Sequence, residues 1–278
     1  MGKRYFAGIR DILALVDQSG PRAAERVAAA IAAATGGHLV GLVPGPTVSV
    51  ASVAGGALAM SLVTELVDEA DDRSNAALSA FEDIARKAGV AAEGGRYRFD
   101  DGDGIDLVAR ARLVDLAVAG QEDPEAPEPG RTAAIEALLF DAGAPVLLVP
   151  RSSDGGFSCR RVAIAWDGGR PAARAVRAAM PFITAAEHAT IVVVGSDDET
   201  LGSDLAVHLA HHSVPVTVRH AMPIEGDVAA ALFNETDGAG AELLVTGAYG
   251  RNRLLEFVLG GTTRSLLAGA RVPVLMAH

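Results

Sequence analysis

The sequence predicts an α/β protein built from two tandem, doubly wound parallel-sheet lobes, and three observations lead to this prediction. Short apolar runs alternate with segments of helical periodicity along the whole 278-residue chain, as parallel strands joined by crossover helices require. Half of the residues are hydrophobic but only 4% are aromatic, which suits closely approaching helices and strands. The third observation is an internal repeat, because three landmarks recur in the same order in both halves.

The landmarks of the repeat are a strand that ends at aspartate, a strand that ends at glycine and a strand that begins at proline. The matched pairs are Asp17 with Asp167, Gly120 with Gly247, and Pro145 with Pro273. The two halves are therefore predicted to be similar Rossmann-like domains, at 1–150 and 158–278, with a polar linker between them. If their last strands pair, the chain forms an intrachain pseudo-dimer.

In the first half, apolar runs predict five strands and segments with a period near 3.6 predict four helices. The strands are predicted at 11–16, 38–43, 97–99, 115–119 and 145–149, and the helices at 22–34, 57–88, 105–112 and 132–140. Pro21 has the position of a first-turn proline, while Gly36 and Gly89 follow the ends of the first two helices.

The second half repeats this alternation. Strands are predicted at 161–166, 190–194, 215–219, 242–246 and 272–276, and helices at 168–182, 201–212, 226–236 and 263–268. In a doubly wound sheet, ligands bind outside the carboxyl ends of the strands. Asp167, Gly195 and Gly247 all follow directly after predicted strands, so they mark the candidate site.

Charge and cysteine content restrict the class of protein. The net charge is −11 and the isoelectric point is near 5.1, which argues against nucleic-acid or anionic-membrane binding because both need a basic face. Cys159 is the only cysteine, so an internal disulfide and a thiolate metal cluster are excluded. The beginning of the chain is a poor signal peptide, and the low-charge stretch at 39–63 contains two prolines. We therefore expect a soluble, cytoplasmic protein with no membrane-spanning segment.

A glycine-rich motif follows the predicted strand at 242–246. Its spacing is Gly247-x2-Gly250-x9-Gly260, and Thr262 and Thr263 come just beyond. Glycine lets the backbone turn sharply and its N–H groups approach a ligand closely. A helix that begins after the threonines would add free N–H groups and a positive dipole end, so the motif predicts a cradle for a phosphate.

Together with a strand-end aspartate and a closing Pro-Val-Leu strand, this spacing resembles the ATP-binding motif of the universal stress protein family. The resemblance covers nearly the whole chain as a tandem of two such domains. The sequence departs from the family pattern at one point, because Gly261 separates the last motif glycine, Gly260, from the threonines. It implies a stress-response protein that binds ATP, with or without Mg²⁺, in its second half. The implied site consists of Ala165, Trp166 and Asp167 on the adenine and ribose side, Val194 and Gly195 at the base, and Thr246, Gly247, Gly250, Arg251, Gly260, Gly261, Thr262 and Thr263 towards the phosphates.

The first half lacks this motif. No second glycine follows Gly120 at the required spacing, and the loop at 121–129 carries four carboxylates, which would repel a triphosphate. The first half is therefore predicted to be a degenerate domain, structural or regulatory, and the chain to bind one nucleotide.

Three functions remain open at this stage. The first is a regulatory nucleotide-binding protein, the second a slow ATPase or adenylate-transferring enzyme, and the third an interaction module whose glycines only cap a strand and a helix. No Ser-His-Asp or Cys-His arrangement is recognisable, and no Walker lysine follows Gly250. Two chains forming a homodimer are a further possibility, because an uncovered edge strand invites association.

Two weaker patterns do not predict a metal site. His208, His211 and His212 fall on one predicted helix but lack an evident third ligand, so a solvated helix face is the better interpretation. The acidic stretch at 101–106 resembles a calcium loop but has no downstream glutamate, and a turn leading into a helix capped by Asp106 explains it.

Overall fold

The computed structural model describes residues 6, 8–45, 56–98, 105–248, 265–266 and 268–278, with only the backbone described at 56–63. Within these residues the chain forms one eleven-stranded, mainly parallel sheet with helices on both faces. None of the described helices is both long enough and apolar enough to span a bilayer.

We call the part from the first to the sixth strand the first lobe and the part from the seventh strand onward the second lobe. The first lobe contains β1 (Asp11–Leu15), α1 (Ala23–Thr35), β2 (His38–Pro44), α2 (Gly56–Lys87), β3 (Ala92–Arg98), β4 (Ile105–Asp106), α3 (Leu107–Ala111), β5 (Leu116–Gly120), α4 (Arg131–Ala137), a one-turn π-helix (Leu138–Ala142) and β6 (Val146–Val149). The second lobe contains β7 (Arg161–Ala165), α5 (Arg170–Ile183), β8 (His188–Val194), α6 (Ser203–His211), β9 (Val216–Ala221), α7 (Val228–Gly238), β10 (Leu243–Gly247) and β11 (Val274–Ala277).

The order of the strands confirms the predicted fold class. Across the sheet it is β4-β3-β2-β1-β5-β6-β11-β10-β7-β8-β9, so each lobe is a doubly wound unit with its first strand near the middle. Neighbouring strands within each lobe are parallel. The lobes join through β6 and β11, which pair antiparallel with Leu275 opposite Leu147. The chain therefore forms the expected intrachain pseudo-dimer.

The apolar core continues from one lobe into the other. On one face of the sheet, β-strand residues such as Leu147 and Leu275 pack with α1, α2, α5 and α6. On the opposite face, Leu148 and Val274 belong to a second buried cluster, which α3, α4 and α7 cover. Strands buried on both faces read as continuous apolar runs, which is why the sequence shows them so clearly.

The beginning of α1 differs from the sequence prediction. Arg22 is the N-cap, with φ of 53° and ψ of 37°, and the helix begins at Ala23. Pro21 therefore lies outside the helix and not in its first turn. The predicted end is confirmed, because Gly36 adopts a left-handed conformation and its N–H bonds to the carbonyl of Ala32.

Other boundaries differ from the prediction by two residues or more, and three elements show why. β3 spans seven residues and not the three predicted. The helix predicted at 105–112 begins at Leu107, because Ile105–Asp106 pair with β3 and Asp106 caps the helix by accepting the N–H of Ala109 at 2.9 Å. The helix predicted at 132–140 ends in the π-turn after Ala137. Of the helix predicted at 263–268, residues 265, 266 and 268 are helical and the others lie outside the described residues.

Candidate functional site

The carboxyl edge of the second lobe brings seven of the predicted site residues together. β10, β7 and β8 are neighbours in the sheet, so the residues at their carboxyl ends lie side by side. These are Ala165, Trp166 and Asp167 at the end of β7, Val194 and Gly195 at the end of β8, and Thr246 and Gly247 at the end of β10. The other predicted residues, Gly250, Arg251, Gly260, Gly261, Thr262 and Thr263, lie outside the described residues.

Asp167 presents an exposed carboxylate at this edge. Its Oδ1 accepts the backbone N–H of Gly169 at 2.8 Å, and Gly168 between them has a positive φ of 71°. The turn leads directly into α5, which carries Pro171 in its first turn. Asp167 forms no ion pair with any described residue. Within the described part of the chain, its charge is therefore not neutralised by a cation.

Gly247 has a packing role that the sequence alone did not separate from ligand binding. A Cβ at this position would lie 2.5 Å from the amide nitrogen of Ala172 and 2.6 Å from the carbonyl carbon of Pro171. Only glycine lets β10 end this close to α5. The preceding Thr246 is buried, and its Oγ1 donates to the carbonyl of Gly247 at 3.2 Å. Its hydroxyl is therefore already engaged within the chain.

The β8 side of the edge is shaped by backbone contacts. Gly195 has a φ of 68° and donates its N–H to the carbonyl of Ala221 at 2.9 Å. The ring of Pro223 lies so close that a Cβ on Gly195 would contact its Cγ at 3.3 Å. Trp166 and Val194 are half-buried. Trp166 and Val194 thus form an apolar surface next to the carboxylate of Asp167.

The same edge of the first lobe is filled by an arginine. Arg131, the first residue of α4, is buried between Asp17 at the end of β1 and Gly120 at the end of β5. Its Nε and Nη2 each donate to the carbonyl of Gly120 at 3.1 Å. Its Nη1 donates to Glu128 Oε2 at 2.9 Å, and Nη2 pairs with the carboxylate of Asp17. Sequence reasoning missed this residue, although aligning Pro145 with Pro273 puts Arg131 one position before the glycine of the motif at Gly260.

Further contacts close this first-lobe site. Glu128 Oε1 accepts the backbone N–H groups of Gln18 at 2.8 Å and Ser19 at 3.2 Å. Asp123 forms a two-contact ion pair with Arg151, at 2.6 and 2.5 Å. Two of the four loop carboxylates are thus neutralised by arginines. From the sequence we expected charge repulsion to exclude a triphosphate from the first lobe. In the structure the side chain of Arg131 occupies the corresponding space.

Little room remains beside Arg131. A cavity of about 50 Å³ lies between α1, the β5–α4 loop and the linker, lined in part by Asp17, Gln121 and Glu128. Sites for drug-sized ligands typically enclose about 300–1,000 Å³. This cavity beside Arg131 is therefore too small for a nucleotide.

Burial alters the pKa values of the ionisable groups near Arg131. The pKa of Glu25 is raised to about 7, first by burial and then by the nearby carboxylate of Asp17. Burial also raises the pKa of Asp17, against the attraction of Arg131. The pKa of Tyr97 is raised to about 12 by its burial. Desolvation lowers the pKa of Arg131, but Asp17 and Glu128 outweigh it and the net direction is upward.

The remaining candidates provide no reactive group within the described residues. The rings of His208 and His212 meet edge to face with centroids 5.0 Å apart, and the described residues contain no cluster able to hold a metal ion. Cys159 is buried against the carbonyl of Phe182 at 3.8 Å, and burial raises the pKa of its thiol to about 12. A thiol in this state is protonated and unreactive at neutral pH.

Comparison with known proteins adds independent information. The model of the universal stress protein family matches residues 196–278. A universal stress protein from Archaeoglobus fulgidus has a similar structure, with a TM-score of 0.69 and 16% identity, covering 99% of this chain and 98% of its own. A putative universal stress protein from Pseudomonas aeruginosa UCBPP-PA14 gives a TM-score of 0.59 and 17% identity, covering 98% and 94%. Comparison with curated protein sequences gave no match.

Proposed function

Because residues 196–278 match the model of the universal stress protein family, we propose that the chain is a stress-response regulator that binds one adenine nucleotide, ATP, in its second lobe. The described residues form the base and ribose half of this site. Asp167 binds the ribose side, and Val194 and Gly195 contact the base. The glycines and threonines between Gly247 and Thr263 hold the phosphates, with Mg²⁺ as a counterion.

The contrast between Asp17 and Asp167 carries this proposal. Both residues follow the first strand of their lobe, at the same edge of the sheet. Asp17 is paired with the buried Arg131, whereas Asp167 is exposed and its Oδ1 accepts only a backbone N–H of its own turn. A carboxylate without a cationic partner beside a helix N-terminus is suited to hydroxyl donors such as those of ribose. Among the described residues, a cation pairs with the strand-end aspartate of the first lobe and none pairs with that of the second.

The backbone of the second lobe also fits a nucleotide. Gly195 is exposed with a positive φ, and it ends β8 beside Val194 without a side chain of its own. A planar base can lie against the exposed backbone at this edge. The first turn of α5 follows Asp167 and places the positive end of the helix dipole nearby.

Calorimetric titration with ATP tests this proposal. We expect one ATP per chain and roughly 10- to 100-fold weaker binding in Asp167→Ala, since a hydrogen bond to a charged group contributes about 1.5–3 kcal/mol. Asp83→Ala is the matched control, because it removes the same charge from an exposed first-lobe helix position and should leave affinity unchanged. Two equivalent sites per chain, or equal affinity in Asp167→Ala, would contradict the proposal.

A further inference from the structure

Five charged side chains meet at the carboxyl edge of the first lobe, and we call them the Glu25 cluster. They come from the end of β1, the start of α1, the β5–α4 loop and the start of α4. The members are Asp17, Arg22, Glu25, Glu128 and Arg131. The cluster occupies the position that corresponds to the candidate nucleotide site of the second lobe.

Glu25 is the member whose bonding is incomplete. Its side chain is 0% exposed, and Oε1 accepts the N–H of Asp17 at 2.9 Å and Nη1 of Arg22 at 3.4 Å. Its other oxygen, Oε2, is buried and accepts no hydrogen bond from any described residue. An unpaired anionic oxygen in a protein interior is costly, whereas a protonated carboxyl is not charged.

The charges of the cluster do not balance when every member is ionised. Three carboxylates carry −3 and two guanidiniums carry +2, which leaves −1 in a cluster whose members are buried or half-buried. Arginine does not lose its proton in this range. Binding of one proton by a carboxyl group is therefore the way for the cluster to become neutral.

The groups that face Glu25 from each neighbouring element agree with this count. Asp17 lies nearest and adds negative potential, and Arg22 opposes it from the start of α1. Gln18 and Ser74, which bond to each other at 3.3 Å, bring no charge. Burial, and then the carboxylate of Asp17, raise the pKa of Glu25 to about 7, and the two carboxyl groups titrate as a coupled pair.

We propose that the first lobe binds a proton where the second lobe is built for a nucleotide: Glu25 Oε2 takes one proton from solvent as the pH falls through neutrality, and releases it as the pH rises. Uptake forms one O–H bond and brings the net charge of the cluster to zero. The first lobe is thus a pH-responsive site and not only a structural partner.

The β5–α4 loop is the element that responds. Glu128 holds this loop against Gln18, Ser19 and Arg131, and the charge that Glu25 gains on proton release lies one hydrogen bond from the adjoining Asp17. The same loop reaches the second lobe, where Gln121 Nε2 donates to the carbonyl of Ala268 at 2.6 Å. Ala268 lies five residues after Thr263, so the loop contacts the segment that follows the candidate phosphate cradle.

The pH dependence of unfolding tests the proposal on the full chain. The folded-state pKa of Glu25 is raised above the ordinary value of 4.5 to about 7, so its stabilising contribution is complete below pH 4.5 and is lost as the pH rises through 7. The unfolding equilibrium constant should therefore rise on the order of 100-fold between pH 5 and pH 8 from this group. Glu25→Gln, which imitates the protonated form, should remove that dependence. Glu69→Gln, on the exposed face of α2, should retain it.

A direct readout of the carboxyl group completes the test. In protein labelled with ¹³C at glutamate side chains, one carboxyl resonance should titrate near pH 7 and should be missing in Glu25→Gln. If all glutamate resonances titrate below pH 6, or if wild type and Glu25→Gln have parallel stability profiles, the first lobe binds no proton near neutrality and the proposal is wrong. Neither readout depends on ATP, so a negative result here would leave the proposed nucleotide site of the second lobe unaffected.

Discussion

At the scale of single residues, Gly247 connects the packing of the second lobe to its candidate site. The end of β10 lies against the first turn of α5, and a methyl group would overlap backbone atoms of Pro171 and Ala172. Gly247→Ala should therefore force β10 and α5 apart and lower the free energy of unfolding by about 1–3 kcal/mol. Chemical denaturation measures this loss.

The matched control is Gly238→Ala at the end of α7. A Cβ there finds its nearest neighbour at 3.6 Å, in the flexible side chain of Arg219, and the backbone has no positive φ. Alanine should be tolerated or should stabilise the helix by about 0.5–1 kcal/mol, because glycine is the poorer helix former. Equal destabilisation by both substitutions would show that the close approach at Gly247 has no special role.

Residues at strand ends were predictable, whereas those that act through long-range pairs were not. Asp17, Asp167 and Gly247 follow apolar runs, which are local patterns that sequence periodicity reveals. Arg131 pairs with Asp17 across 114 positions, and no local pattern marks such a contact. Glu25 lies in a segment of ordinary helical periodicity. Its burial depends on which face of α1 packs against the sheet, and the tertiary fold decides that.

At the scale of elements, the β5–α4 loop and the start of α4 are held by the guanidinium of Arg131. Arg131→Met keeps most of the side-chain volume but leaves Asp17 and Glu128 buried without their cation. Breaking a buried ion pair in this way typically costs about 3–5 kcal/mol. We expect a loss of this size at pH 8, measured by denaturant titration.

The pH dependence of this loss distinguishes charge from packing. In Arg131→Met the two carboxylates bind protons more readily in the folded state, so the variant should regain part of its stability as the pH falls to 5. Arg86→Met removes a guanidinium from an exposed ion pair with Asp83 and should change stability little at either pH. A loss that is independent of pH would show that Arg131 acts through packing alone.

β3 shows why the boundaries of some elements were not predictable. Gly94 and Gly95 within the strand look like a loop in the sequence, so only its end was predicted. In the structure a Cβ on Gly95 would meet Ile105 at 2.6 Å, and one on Gly94 would meet Leu78 at 3.2 Å. The glycines allow close packing of α2 and β4 against the strand. Which elements pack there is a tertiary property, and neither hydropathy nor turn propensity reports it.

At the scale of the whole molecule, the antiparallel junction of β6 and β11 makes the lobes one structural unit. Both faces of the sheet remain apolar and buried across the junction. Aromatic contacts reinforce it, because Phe6 from the beginning of the chain packs against Phe157 and Phe182 with ring centroids 5.8 and 4.9 Å apart. The sequence repeat predicted two lobes and the pairing of their last strands, but the continuity of the core follows from the register between Leu147 and Leu275.

A shared core implies that the two lobes unfold together. Leu147 is fully buried in the first lobe, and Leu147→Ala should cost about 2–5 kcal/mol. Trp166, the only tryptophan, lies in the second lobe, so its fluorescence reports on that lobe while far-ultraviolet circular dichroism reports on both. If the lobes are one cooperative unit, both signals should shift equally to lower denaturant concentration. Leu113→Ala, at a 73% exposed position, should shift neither, and an unchanged Trp166 transition in Leu147→Ala would mean that the lobes unfold independently.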